Sequence, residues 1–243
     1  MTNLMTEGDG GVTDLTPQSA VASATNALIP PRPKLRGWLH AGTFPLAFAG
    51  GIVLICLAPT TGTAVACSVF AVSSWLLFGV SGIYHTKTWS PKWKAVLRRF
   101  DHTNIFLIIA GTYTPVSVTL LSRAEARLLL VLVWTGAAVG IGFRMFWLSA
   151  PRWVYVPCYI ALGWAALFFL PQLERTGGLT VVVLIIVGGV LYSIGAVIYA
   201  LKKPDLSPKW FGFHELFHAL TIAAFGCHYT AVAISVAHFR AGH

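Results

Sequence analysis

The sequence predicts an all-α, polytopic membrane protein with seven transmembrane helices, a cytoplasmic N-terminus and an external C-terminus. Three observations lead there. Of 243 residues, 56 % are apolar and only 10 % charged, where a soluble domain carries roughly 25 % charged residues. The mean hydropathy is +0.72. The charges are also absent in long blocks, and the Lys and Arg that remain sort onto alternate loops.

The blocks define the elements in order. No Asp, Glu, Lys or Arg occurs between Arg36 and Lys87, a gap of 50 residues interrupted by Pro59-Thr60-Thr61-Gly62-Thr63, so it holds two spans. Further charge-free runs lie between Asp101 and Arg123 (21 residues), Arg127 and Arg144 (16), Arg152 and Glu174 (21), Arg175 and Lys202 (26) and Glu215 and Arg240 (24). A bilayer core of roughly 30 Å needs about 20 helical residues, and lipid admits only helices or closed barrels. These runs are too evenly apolar for barrel strands, which alternate. The expected spans are residues 37–58, 64–85, 101–121, 128–147, 153–173, 179–201 and 213–237. The fourth is short, and Arg144 is expected at its end with the guanidinium snorkelling outward. Pro115 is expected to kink the third near its outer end.

Net charge +9 raises the possibility of nucleic-acid binding, but the distribution points to topology instead. Thirteen Lys and Arg fall on the N-terminal flank and on the second, fourth and sixth loops, against four on the other side. The positive-inside rule then puts the N-terminus in the cytoplasm of a multi-pass plasma-membrane protein. The basic excess means contact with anionic lipid head groups. Residues 1–31 have no basic n-region and no apolar h-region, and read as a disordered cytoplasmic tail rather than a signal peptide. Residues 32–243 form the transmembrane domain. Cys56, Cys67, Cys158 and Cys227 fall inside the spans with no pairing motif, and read as small packing residues rather than a disulfide framework.

Polar groups inside a membrane are costly and point to function. His214 and His218, at i and i+4, share a helix face, a spacing that suits two ligands of one zinc ion. The string His214-Glu215-Leu216-Phe217-His218 shares its form with the HExxH of soluble zinc proteases, in which the Glu is the general base; here it opens a membrane span. The charge-derived topology brings His85, closing the second span, and Asp101, opening the third, to the same cytoplasmic face. Ser81 lies one turn deeper than His85. The plain alternative is a hydrogen-bonded interfacial cluster. His102 points about 100° away from Asp101. His228 lies ten residues beyond His218, about 15 Å along the helix, and reads as a packed imidazole. Tyr113 and Thr114 are candidates to line a cavity.

The motifs Ser81-Gly-Ile-Tyr-His85, Arg99-Phe-Asp101-His102 continuing to Ile109-Ala-Gly-Thr-Tyr-Thr-Pro115, and His214-x3-His218 resemble the bacterial hemolysin III family, related to the progestin and adipoQ receptors. The resemblance covers roughly residues 32–240. It implies seven helices with the N-terminus inside, zinc held by His85, His214 and His218, Asp101 holding a zinc-bound water, and Ser81 nearby. The family's Glu, Asn and His pattern at the first helix is represented only by His40.

Three imidazoles with an open fourth position describe a catalytic rather than a closed structural zinc. The leading expectation is a zinc-dependent hydrolase with Asp101 and Ser81 as catalytic groups, acting on a lipid-like amide or ester that enters from the membrane; relatives suspected of lipid amide hydrolysis agree with it. The alternatives are a haemolytic, pore-forming or membrane-perturbing protein, which the family's name suggests, and a non-catalytic sensor of membrane state with structural zinc. A retinal photoreceptor is disfavoured, because the seventh span has no Lys for a Schiff base.

Overall fold

The computed structural model describes residues 33–147, 149–207 and 209–242; the tail expected over residues 1–31 lies outside the described residues. The described residues form helices α1 (Trp38–Leu57), α2 (Thr61–Thr86), α3 (Pro91–Leu120), α4 (Arg123–Phe146), α5 (Arg152–Gly163), a 3-10 turn (Ala165–Phe169), α6 (Leu170–Leu201) and α7 (Phe213–Ala241). No strand is present among them. Six helical stretches are long and apolar enough to cross a membrane, the fifth being the 50 residues Arg152–Leu201. Leu46, Val139, Phe168 and Leu179 are among many large apolar side chains exposed on the outside. Such a surface would aggregate in water and suits lipid tails. Inside, Phe70, Phe78, Phe106, Leu129, Val133, Val181 and Val232 are almost fully buried.

Local chemistry explains the helix ends. The Thr60 side chain accepts from Thr63 N and starts α2. Pro91 sits in the first turn of α3, where its missing N–H costs nothing. Ser122 and Glu125 form a reciprocal capping box at α4, satisfying two otherwise orphaned N–H groups. α1 and α2 depart little from the expected bounds, but α3 begins ten residues before the expected 101 and α4 five before the expected 128. Charge-free runs locate the apolar core, whereas Lys92, Lys94, Arg98 and Arg99 ride on a helical extension beyond it. α3 runs through Pro115 to Leu120.

The 50-residue stretch is not one rod. At about 1.5 Å per residue it would reach about 75 Å, yet the Arg152 guanidinium donates to the Tyr199 carbonyl at 2.6 Å and Trp164 Nε1 donates to Ser193 Oγ at 3.0 Å. The chain therefore doubles back on itself. The backbone break is at Gly178, with φ 80° and ψ 166°, a region that glycine enters without the steric cost of a Cβ. The expected fifth span is itself broken: regular helix stops at Gly163 and resumes at Leu170. The Tyr113 hydroxyl fills the gap, donating to Gly163 O at 2.5 Å and accepting from Ala166 N at 3.0 Å. Thr114 turns elsewhere, accepting from Trp134 Nε1 and donating to Ala110 O.

The basic segments meet at one end. Lys34 N bonds Lys209 O, Arg99 Nε bonds Met145 O, and Arg152 reaches Tyr199. At the other end Thr176 Oγ1 bonds Leu120 O. Arg144 does not snorkel. It is 1 % exposed, its guanidinium lies 4.2 Å from the Tyr155 ring centroid, and Nη1 approaches Trp147 O at 3.4 Å. The aromatic face attracts the cation inward, an option invisible to a reading based on distance from the span's end.

Candidate metal centre

Four helices build the site at the basic end. α2 delivers Ser81 and His85 in its last two turns, α3 delivers Asp101 and His102, α7 delivers His214 and His218 in its first two turns, and α1 delivers His40. The start of α1 is pressed against the end of α2. Gly37 has φ 82°, and a Cβ there would lie 2.6 Å from His85 Cβ and 2.9 Å from the backbone beyond it. Only glycine meets both demands.

The α7 start is fixed by carboxylates. Asp205 Oδ1 accepts from Phe213 N at 2.8 Å, and Glu215 Oε2 accepts from Gly212 N at 2.9 Å. The other Glu215 oxygen accepts a hydrogen bond from Arg36 Nε at 2.7 Å, with the Glu side chain 1 % exposed. Glu215 is thus committed to holding the helix and Arg36, which sets it apart from the free general base of a soluble HExxH protease. Glu215→Ala is expected to destabilise the protein by about 3 kcal/mol, since it strands a largely buried guanidinium and a buried N–H. Thermal unfolding in detergent checks this. The Glu215→Gln variant, still able to cap Gly212, should lose less.

Around this frame the three imidazoles converge. One ring nitrogen from each of His85, His214 and His218 lies within 4.8 Å of the others. The closest pair is His85 Nε2 and His214 Nε2 at 3.3 Å. Two nitrogens bound tetrahedrally to one zinc at about 2.0–2.1 Å would be about 3.3–3.4 Å apart. His218 Nδ1 is buried without a hydrogen-bond partner. Three imidazoles, one of them carrying an orphaned buried nitrogen, are a donor set that fits zinc. The 3.3 Å contact also suits one imidazole N–H donating to the other.

Asp101 Oδ2 stands 3.7 Å from His85 Nε2 and 3.6 Å from His102 Nδ1, and the Ser81 side chain also interacts with its carboxylate. His102 has both nitrogens committed, Nδ1 to Arg98 O at 2.8 Å and Nε2 to Tyr199 Oη at 3.2 Å. The carbonyl must accept, so Nδ1 carries the proton and Nε2 accepts from the tyrosine. His102 therefore flanks Asp101 with no lone pair to spare for an ion. His40, the single match to the family's first-helix pattern, stacks flat on His218 with ring centroids 3.8 Å apart and 7° between planes, and meets Phe78 edge-on at 5.1 Å.

Asp101, His214 and His218 line one end of a cavity of about 140 Å³ whose walls are mostly apolar and which runs past Tyr159 to Val116 and Ala231. From Asp101 to Val116 along α3 is about 22 Å. Tyr113 lines the cavity, as do His228 and Tyr192, whereas Thr114 does not reach it. All four cysteines carry free thiols, and none belongs to the histidine group.

The structure brings together the sequence-expected His85, His214, His218, Asp101 and Ser81. His40 was singled out only as a family match, and its stack on His218 and the braces Arg36, Asp205 and Glu215 were not foreseen. A signal for Glu215 existed, since it lies three residues after Gly212 at the start of an apolar run, where capping carboxylates occur.

Comparison with known proteins agrees with these motifs. A family profile described as "Haemolysin-III related" matches residues 30–229. "Hemolysin-3" of Bacillus cereus is 36 % identical over 158 residues, covering 63 % of this chain and 70 % of the relative. "Hemolysin-3 homolog" of Bacillus subtilis (strain 168) is 34 % identical over 166 residues, covering 67 % of this chain and 78 % of the relative.

Proposed function

The chain belongs to the haemolysin-III related family of multi-pass membrane proteins, and from that premise we propose that it is a zinc-dependent hydrolase of a lipid-like amide or ester, working at the cytoplasmic face of the cell membrane. The observation that carries the reading is the convergence of three imidazoles, with a carboxylate beside them, at one end of a long apolar cavity.

His85, His214 and His218 would hold the ion, and His40 packs against His218. A zinc ion held there would supply Lewis acidity toward a carbonyl and lower the pKa of water toward about 7. Asp101 takes a proton from water as the water oxygen bonds to the carbonyl carbon. The C–O or C–N bond then breaks, Asp101 returns the proton to the leaving alcohol or amine, and the acyl group departs as the acid. His102, pinned by Arg98 O and Tyr199, keeps the Asp101 carboxylate turned toward His85. Ser81 steadies the same carboxylate. The apolar walls hold the acyl chain.

Topology is part of the reading. The Arg152–Leu201 hairpin crosses the bilayer twice, giving seven crossings, an internal N-terminus and an external C-terminus. A reporter after Arg240 should then read as external, and one within the 202–209 loop as cytoplasmic. A cytoplasmic C-terminus would place the site on the wrong face.

The printed names of the relatives favour one second reading, a haemolytic, membrane-perturbing protein. Purified protein in liposomes separates the two. Zinc-dependent turnover of N-acyl amides or esters without dye release supports the hydrolase. Dye release without turnover supports membrane perturbation and contradicts the hydrolase.

A further inference from the structure

We propose that the middle of the cavity contains a second polar station, formed by Tyr192 on α6 and His228 on α7, that recognises a hydroxyl group carried partway along a lipid chain. The inference rests on the reading that a lipid chain occupies this cavity with its head at the histidine cluster.

Several polar side-chain atoms among the described residues are buried without a hydrogen-bond partner. His40 and His218 belong to the histidine cluster, while Ser117 and Arg144 do not line the cavity. Tyr192 Oη and His228 Nδ1 are the remaining pair, both orphaned and both on residues that line it. Their ring centroids lie 5.4 Å apart, inclined by 59°, so the two side chains are neighbours in the cavity lining. An unmet buried polar atom is costly in an apolar surround, and two of them on neighbouring side chains of one cavity lining point to a ligand that pairs with both.

The hydrogen-bond roles narrow that ligand. His228 Nε2 lies 3.2 Å from the Ile185 carbonyl. A carbonyl only accepts, so Nε2 carries the proton and Nδ1 presents a lone pair. Tyr192 presents an O–H. A hydroxyl accepts from the phenol and donates to Nδ1 at once. A carbonyl would serve the phenol alone, an ammonium the imidazole alone, and a methylene neither. The seat for the imidazole is also built: Gly188 lies directly beneath the His228 ring, and any Cβ at that position would collide with it. His228 is ten residues beyond His218 on one helix, about 15 Å, so the hydroxyl belongs near the middle of a long chain and away from the head.

The test uses the purified full chain in detergent, with octadecanoate and its monohydroxy positional isomers competing against a fluorescent fatty acid. Wild type should bind one mid-chain isomer about tenfold more tightly than octadecanoate. Tyr192→Phe should erase that preference while leaving octadecanoate affinity unchanged, which also shows that the variant is folded. His228→Leu should reduce the preference likewise. Equal affinity for all isomers in wild type would overturn the station and leave the lipid cavity standing. A preference surviving both substitutions would overturn it too, as would failure to bind any chain. Zinc content and amide turnover of the same preparations report separately on the hydrolase reading.

Discussion

Removing any one of His85, His214 or His218 by alanine substitution is expected to cut bound zinc from about one ion per chain to a small fraction of that, when protein is purified at limiting metal. Each removes one of three imidazoles whose nitrogens lie within 4.8 Å of one another. The free cysteines lie outside this group, so no thiolate compensates. Metal analysis beside circular dichroism distinguishes ligand loss from unfolding, because Glu215, Arg36 and Asp205 still pin the α7 start in the His214 variant. If the triple alanine variant kept its zinc, the hydrogen-bonded cluster would be the better description of the 3.3 Å His85–His214 contact.

Asp101→Asn is expected to do the opposite: keep the metal and abolish the chemistry. The three imidazoles remain, although loss of a neighbouring carboxylate typically costs about 10–100-fold in metal affinity, so occupancy is compared at saturating zinc. Turnover per bound zinc should fall by about 10²–10⁴, the usual worth of a positioned general base, because an amide cannot take a proton from water. Asp101 sits between His85 and His102 at 3.7 and 3.6 Å, so the isosteric amide fits where the carboxylate was. Equal activity per zinc would contradict the base role.

Much of this was legible in the chain because membranes punish charge. Gaps in Lys, Arg, Asp and Glu marked the apolar core of nearly every helix, and the i, i+4 spacing of His214 and His218 needed only helical geometry. The misplaced features depend on partners far away in sequence. Nothing near residue 163 announces the break in the fifth span, because the hydroxyl that satisfies it belongs to Tyr113, 50 residues earlier. Arg144 read as a snorkelling cation until Tyr155 supplied an inward partner. α3 begins at Pro91 because a helix can outrun the lipid core, and charge counting sees only the core. Glu215 looked like catalytic chemistry in string form and proved to be a helix cap and an Arg36 partner. His40 offered no spacing clue at all, since its stack on His218 joins the first helix to the last.

The most direct test of the central claim is zinc K-edge absorption spectroscopy on the purified protein. The account predicts three imidazole nitrogens at about 2.0–2.1 Å with one further light-atom ligand and no sulfur. Sulfur at about 2.3 Å, or a spectrum unchanged in the His85, His214 and His218 triple alanine variant, would contradict it.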